Sequence, residues 1–229
     1  MCGIFGSSDY KRFIKLYSKN RDRGSFSFGS VFIEPKLHAL IKAPGEFKFT
    51  RNLCISIPGT KNKRDLSSFE YFLGHTQAPT SSQRKYTHDT THPFYCNNWF
   101  VAHNGVISNH KQLRSVVKGV KGVNEVDSSI IPALIYKQTR KTKNEVNAIC
   151  SVLSAIKGTF GVWIYNAKTH DIYLSRSGST LYANFLTNDF SSTAAPNFKL
   201  LDEGVLYLLT KEGITSVGEF KTNSPFFTP

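Results

Sequence analysis

The chain has 229 residues, 40% hydrophobic and 13% aromatic, which is ample for a folded core of one large domain or two small ones. No window approaches ~18 uninterrupted apolar residues, and the N-terminus lacks the charged-then-apolar pattern of a secretory leader, so the sequence reads as soluble and cytoplasmic. Twenty-nine Lys and Arg against 16 Asp and Glu give a net charge of +13, a field that favours acidic partners such as nucleotides, nucleic acid or an acidic protein without marking a site.

In chain order, Gly3 allows close approach of backbone or substrate, and Ile4 and Phe5 read as the start of a buried strand. Asp9 can cap a helix in which Tyr10, Phe13, Ile14 and Tyr17 share one face at helical period. A glycine-bounded loop at 23–29 follows, then short strands at 30–33, 37–41, 53–57 and 71–76 separated by Pro and Gly turns. The polar stretch 77–91 reads as loop and 99–103 as strand, closed by the turn signal Asn104-Gly105. Three helices are expected next: 109–117 capped by Asn109, a second capped by Asp127 running to Tyr136 with Pro132 blurring its boundary, and a third over 143–156. The third would place Val146, Ile149, Cys150, Leu153 and Ile156 on one face. Strands return at 160–165, 171–174, 180–183 and 205–209, with 188–197 as a mobile polar loop and the tail 221–229 irregular. Strands at both ends with helices between them imply an α+β domain spanning 1–229, in which two stacked sheets carry helices on both outer faces as a four-layer αββα sandwich.

Four cysteines, Cys2, Cys54, Cys96 and Cys150, are widely scattered, with no CxxC pair and no His/Cys cluster at zinc spacing. Neither a disulfide framework nor a metal is expected, and without a P-loop or GxGxxG no cofactor is expected either. Cys54, Cys96 and Cys150 fit apolar patterns as small core residues. Cys2 is different. Removal of Met1 would leave a residue that carries both a thiol and a free α-amine, whose reference pKa of roughly 7.7–8.0 lies below that of a thiol. Near neutral pH the amine is partly unprotonated and can accept the thiol proton, so the residue brings its own base. At Asn104-Gly105, a side-chain amide beside an exposed glycine N–H offers two donors that could hold a developing oxyanion.

Taken together, Cys2-Gly3-Ile4-Phe5-Gly6, the Arg23-Gly24 loop with Ser27 and Gly29, Gly74-His75-Thr76 with Thr80 behind it, and His92-Pro93 resemble the class II glutamine amidotransferases. So do His103-Asn104-Gly105-Val106-Ile107-Ser108-Asn109-His110, the segment Asp127-Ser128-Ser129, and Arg176 to Leu181, in the same order. The glutaminase domain of that family is an N-terminal-nucleophile hydrolase, and this chain looks closest to the type joined to glucosamine-6-phosphate synthase. The resemblance implies mainly antiparallel sheets in that fold. It also implies Cys2 as the nucleophile that forms a thioester with glutamine, Asn104 and Gly105 as the oxyanion hole, Asp127 on the α-ammonium group, and Arg23, Gln77 and Thr80 around the substrate.

Two departures stand out. Gln77 occupies the place of the family's carboxylate-clamping arginine, and a neutral amide cannot replace a bidentate guanidinium, although Arg84 or Lys85 could supply the charge. Phe26 stands where the family has an aspartate. The expectation is therefore a stand-alone glutaminase that passes ammonia to a separate acceptor enzyme, because the chain lacks the modules that receive ammonia in large family members. The alternatives are an amidohydrolase acting on another, nucleotide-linked amide, or a non-catalytic basic binding module. His75 and His103 read as packed structural residues.

Overall fold

A computed structural model describes residues 2–35, 37–49, 54–56, 63–78 and 85–223. In chain order its elements are β1 (Gly3–Ser7), α1 (Tyr10–Arg21), β2 (Ser27–Glu34), β3 (Leu37–Pro44), β4 (Cys54–Ser56), β5 (Lys63–Asp65), β6 (Tyr71–Gln77), β7 (Phe94–Cys96) and β8 (Trp99–Ile107). The helices α2 (His110–Val116), α3 (Ile130–Thr142) and α4 (Glu145–Ala155) follow. Then come β9 (Gly158–Asn166), β10 (Ile172–Ser177), β11 (Tyr182–Asn184), β12 (Asp189–Ser191), β13 (Lys199–Leu200), β14 (Val205–Leu209) and β15 (Ile214–Glu219).

One sheet runs β13-β11-β12-β1-β6-β2-β3 and the other β15-β14-β10-β9-β8-β7, with β4 and β5 forming a separate pair. Among the described residues every ladder is antiparallel, and the one parallel contact is the isolated bridge between Phe160 and Gly178. The period of two along each strand sorts the apolar side chains into layers. In the first sheet Ile4, Val31 and Leu73 turn inward to meet Phe100, Ala102, Trp163 and Leu174 of the second. Their neighbours Phe5, Phe32 and Phe72 turn outward onto Phe13, Leu16 and Tyr17 of α1. In the second sheet Val101, Val162 and Ile164 turn outward beneath α3 and α4. The result is the four-layer αββα sandwich, with α1 on one face and α2, α3 and α4 on the other. Trp163 Nε1 donates across the sandwich to the Gly74 carbonyl at 3.1 Å, so the sheets are tied by a hydrogen bond as well as by apolar contact.

Several boundaries differ from the sequence reading. The strand read as ending at 103 runs to Ile107, because Asn104 and Gly105 pair with Gly161 and Phe160 instead of turning. Asp127 does not cap the long helix directly. It opens a short 3-10 turn over Asp127–Ser129, and α3 begins at Ile130 with Pro132 in the first turn, where no intrahelical N–H is needed. Lys143 is the left-handed C-cap of α3, so the third predicted helix starts at Glu145, capped by the Asn144 side chain bonded to Asn147 N. The stretch 188–197 contains β12, a buried strand beside β1. Of the predicted strand at 53–57, Cys54–Ser56 form β4 and positions 53 and 57 lie outside the described residues; the strand predicted at 180–183 is Tyr182–Asn184, and Gln77 closes β6 where loop was expected. Residues 224–229 of the predicted irregular tail lie outside the described residues.

Candidate active site

The register Gly3↔Thr76 sets Cys2 at the mouth of β1, next to the end of β6 where Gln77 stands. Cys2 is 8% exposed, and its carbonyl accepts from Arg23 Nε at 3.1 Å. Gly3 cannot carry a side chain there, since a Cβ would lie 2.7 Å from Asn20 Cβ and 2.8 Å from Thr76 Oγ1. Asn20 is fully buried at the end of α1, donating to the Leu16 carbonyl and to Ser191 Oγ, while its own carbonyl accepts from Thr76 Oγ1. The start of β1 directly after Cys2 is thus packed against a hydrogen-bonded amide, which limits its freedom to move.

Arg23 bridges two backbones, because its Nη1 donates to the Ser192 carbonyl at 2.9 Å while Nε holds Cys2. Burial pushes its guanidinium pKa down, partly offset by Cys2 and Tyr182, and an arginine so placed remains a cation at neutral pH. Ser192 gathers more contacts. Its Oγ accepts from Ile4 N at 3.0 Å and from Asn104 Nδ2 at 3.4 Å, its N donates to the Ile4 carbonyl at 2.8 Å, and its carbonyl also accepts from Thr180 Oγ1 at 2.8 Å. Asn104 is 2% exposed and belongs to the second sheet, so this serine joins the strand of Cys2 to the strand of Asn104.

Gly105 has φ +148°, and a Cβ on it would fall 1.9 Å from the Thr159 carbonyl oxygen. Only glycine lets β8 pass β9 at that separation. Two residues on, Ile107 N donates to Asp127 Oδ2 at 3.0 Å, which brings the aspartate to the end of the same strand. Asp127 Oδ1 accepts from Ser128 N at 2.8 Å and Ser128 Oγ at 3.1 Å, and Ser128 Oγ in turn contacts His103 Nδ1 at 2.9 Å. Desolvation pushes the Asp127 carboxyl up, but His103, the Ile107 N–H and both Ser128 donors outweigh it and hold the group below the usual aspartate value. Desolvation likewise pushes His103 down, against the pull of Asp127 and the Thr159 carbonyl. A neutral His103 adds no charge at neutral pH, so there the hydrogen bonds keep Asp127 ionised.

Gln77 is fully buried and its Oε1 accepts from Ser27 Oγ at 2.9 Å across the β2–β6 ladder. Gly24 packs on the same backbone, its Cβ position lying 2.3 Å from Ala78 N. Phe26, half-exposed at 49%, lays its ring against Tyr86 at 5.8 Å. Thr80 and Arg84 lie outside the described residues, and Lys85 is exposed. His75 and His103 are buried, His75 stacking on His92 with ring centroids 3.9 Å apart. Cys96 is buried and Cys150 half-buried, both free thiols, while the side chain of Cys54 lies outside the described residues. Among the described residues no three His, Cys, Asp or Glu side chains cluster as a metal site.

The structure therefore brings Cys2, Arg23 and Asn104 together through Ser192, and sets Asp127 at the end of the Asn104 strand. Sequence reasoning missed Ser192, Thr180 and Asn20. Asn20 left a signal, an amide continuing the apolar face of Phe13 and Tyr17 along α1. Ser192 left none, because it lies just past a three-residue strand in a polar run.

Residues 84–193 match the family model described as a glutamine amidotransferase domain, a span that holds Asn104, Gly105, Asp127 and Ser192 but not Cys2. The chain is similar to the glutamine–fructose-6-phosphate aminotransferase [isomerizing] of Francisella tularensis, 27% identical over 93% of this chain and 36% of that protein. It is also similar to the 7-cyano-7-deazaguanine synthase of Saccharolobus solfataricus, 29% identical over 73% of this chain and 34% of that protein. The chain spans about a third of the length of these relatives. Among solved structures, the glutamine phosphoribosylpyrophosphate amidotransferase of B. subtilis matches with a TM-score of 0.72 at 18% identity, over 96% of this chain and 49% of that one. A glutamine aminotransferase class-II domain protein of Silicibacter pomeroyi matches with 0.57 at 12%, over 96% and 100%. At these identities the likeness to the solved structures shows a shared fold.

Proposed function

We propose that the chain is a class II glutamine amidotransferase, with the N-terminal-nucleophile hydrolase fold, and that it hydrolyses glutamine to glutamate and ammonia with Cys2 as nucleophile. The observation that carries the reading is the link from Cys2 through Arg23 and Ser192 to Asn104. In this reading Met1 is removed and the α-amine of Cys2 takes the thiol proton. The thiolate attacks the γ-carboxamide carbon, and Asn104 Nδ2 and Gly105 N–H receive the oxyanion. The C–N bond then breaks, ammonia leaves with the proton returned by the α-ammonium group, and a thioester remains. Water adds to the thioester, glutamate departs and the thiol is restored. Asp127, ionised by its donors, receives the substrate's α-ammonium group, Arg23 and Gln77 stand beside Cys2 on the substrate's side, and Thr80, outside the described residues, is proposed as a further substrate contact.

Intact mass before and after an electrophilic glutamine analogue tests this. The expected result is loss of Met1 and one adduct that vanishes in Cys2→Ala; a processed chain that stays unlabelled and releases no glutamate would overturn it. One observation favours a second reading, an N-terminal-nucleophile amidohydrolase on a different amide. Gln77 is uncharged and already engaged by Ser27, so it offers no counter-ion to an α-carboxylate. Glutamine turning over faster than any other amide in a substrate screen would set that reading aside.

The same proposal passes the ammonia to an acceptor enzyme, a reading supported by the synthase and aminotransferase relatives the chain is similar to. It gives that acceptor an acidic or phosphate-bearing surface. Lys111, Arg114 and Lys118 line an open groove of about 590 Å³ with Val117, Val120 and Val123, and among the described residues no acidic side chain lines it.

A further inference from the structure

Ser192 has no place in the chemistry described above, yet it is 1% exposed and accepts hydrogen bonds from both sheets. An asparagine in an oxyanion hole poses a specific problem. Its amide must present N–H to the incipient oxyanion, and the side chain pivots freely about χ2 unless something fixes it. Asn104 Nδ2 carries two N–H groups, and the one that meets Ser192 Oγ leaves the other for a ligand. The serine oxygen is itself fixed. Ile4 N donates to it, Ser192 N donates back to the Ile4 carbonyl, and Arg23 and Thr180 hold its carbonyl. Hence the amide of the second sheet is anchored to β1, the strand that directly follows Cys2.

We infer that Ser192 is the positioning residue of the oxyanion site, setting the Asn104 amide relative to Cys2 across the seam of the two sheets. The inference rests on the glutaminase reading. Ser192 acts through Asn104, so it contributes to the acylation step and not to the reactivity of the thiol as such. Losing an oxyanion donor outright costs about 10²–10³ in kcat, and losing only its orientation should cost less, on the order of tenfold to a hundredfold.

The experiment is a double-mutant cycle on the processed enzyme with Ser192→Ala, Asn104→Ala and the combined variant, reading kcat and KM for glutamine and, separately, the rate of Cys2 alkylation by iodoacetamide. Ser192→Ala should lower kcat roughly tenfold or more with little change in KM or in the alkylation rate. The combined variant should be no slower than Asn104→Ala alone, and Ser192→Thr, which keeps the hydroxyl, should recover most of the activity. Additive losses, or alkylation falling in step with kcat, would overturn the inference and make Ser192 a plain structural residue. If Ser192→Ala does not fold, an inactive but folded Ser192→Thr would overturn it as well. A wild-type enzyme that alkylates but releases no glutamate would instead overturn the glutaminase reading, so the two failures are separable.

Discussion

At Asp127 three donors converge on one carboxylate, and its depressed pKa makes the residue a source of stability with a definite pH window. A carboxyl whose folded pKa lies below its unfolded value of roughly 3.9 contributes fully above that pH. The contribution is lost as pH falls through the folded pKa. Urea unfolding of the wild type and Asp127→Asn should therefore differ near neutral pH by about 1–3 kcal/mol, the worth of hydrogen bonds to a charged acceptor, and converge in strong acid. Gly105→Ala should do more damage, since a Cβ would overlap the Thr159 carbonyl and the backbone is at φ +148°; a shifted thermal midpoint with glutaminase activity abolished is the expected result. The candidate site residues that the sequence raised were those in contiguous motifs, Cys2, Asn104, Gly105 and Asp127. Ser192 meets Asn104 from 88 positions away and Ile4 from 188, a distance at which one sequence carries no local signal. Gln77 was legible as a departure, but its bond to Ser27 was not, because two strands had to be set in register before the pair could be seen.

At the scale of elements, helical period was the readable feature. The face predicted for α1 is the face that packs, with Phe13 at 5.2 Å from Phe5 and 5.4 Å from Phe72 between ring centroids. Phe13 is fully buried, so Phe13→Ala should cost about 3–5 kcal/mol, measurable as a lower urea midpoint with an unchanged slope. The sandwich was equally legible, since long apolar strands flanked helices of clear amphipathic period. Short strands were not. β12 and β13 have three residues and two, too few for alternation to rise above chance, and tertiary pairing to β1 and β11 defines them. The β8 error has a different origin. Asn-Gly is a hairpin signal in most contexts, but here glycine serves close approach between two strands.

For the whole molecule, the +13 charge gains a local expression in the groove beside α2, where Lys111, Arg114 and Lys118 make no ion pair among those found in the described residues. Anionic partners should bind there with an affinity that falls steeply with salt. Fluorescence anisotropy with a polyglutamate peptide should show that dependence, and Lys111→Glu with Lys118→Glu should flatten it while glutamine hydrolysis stays intact. The sandwich itself carries a last consequence. Cys2 rides on one sheet and Asn104 on the other, and Trp163 Nε1 to Gly74 is among the bonds that seat one upon the other. In the glutaminase reading, turnover depends on how the halves are seated, so it should fail before the secondary structure does. A chain with Trp163→Phe should keep its native circular dichroism on warming well past the temperature at which its glutaminase activity has gone.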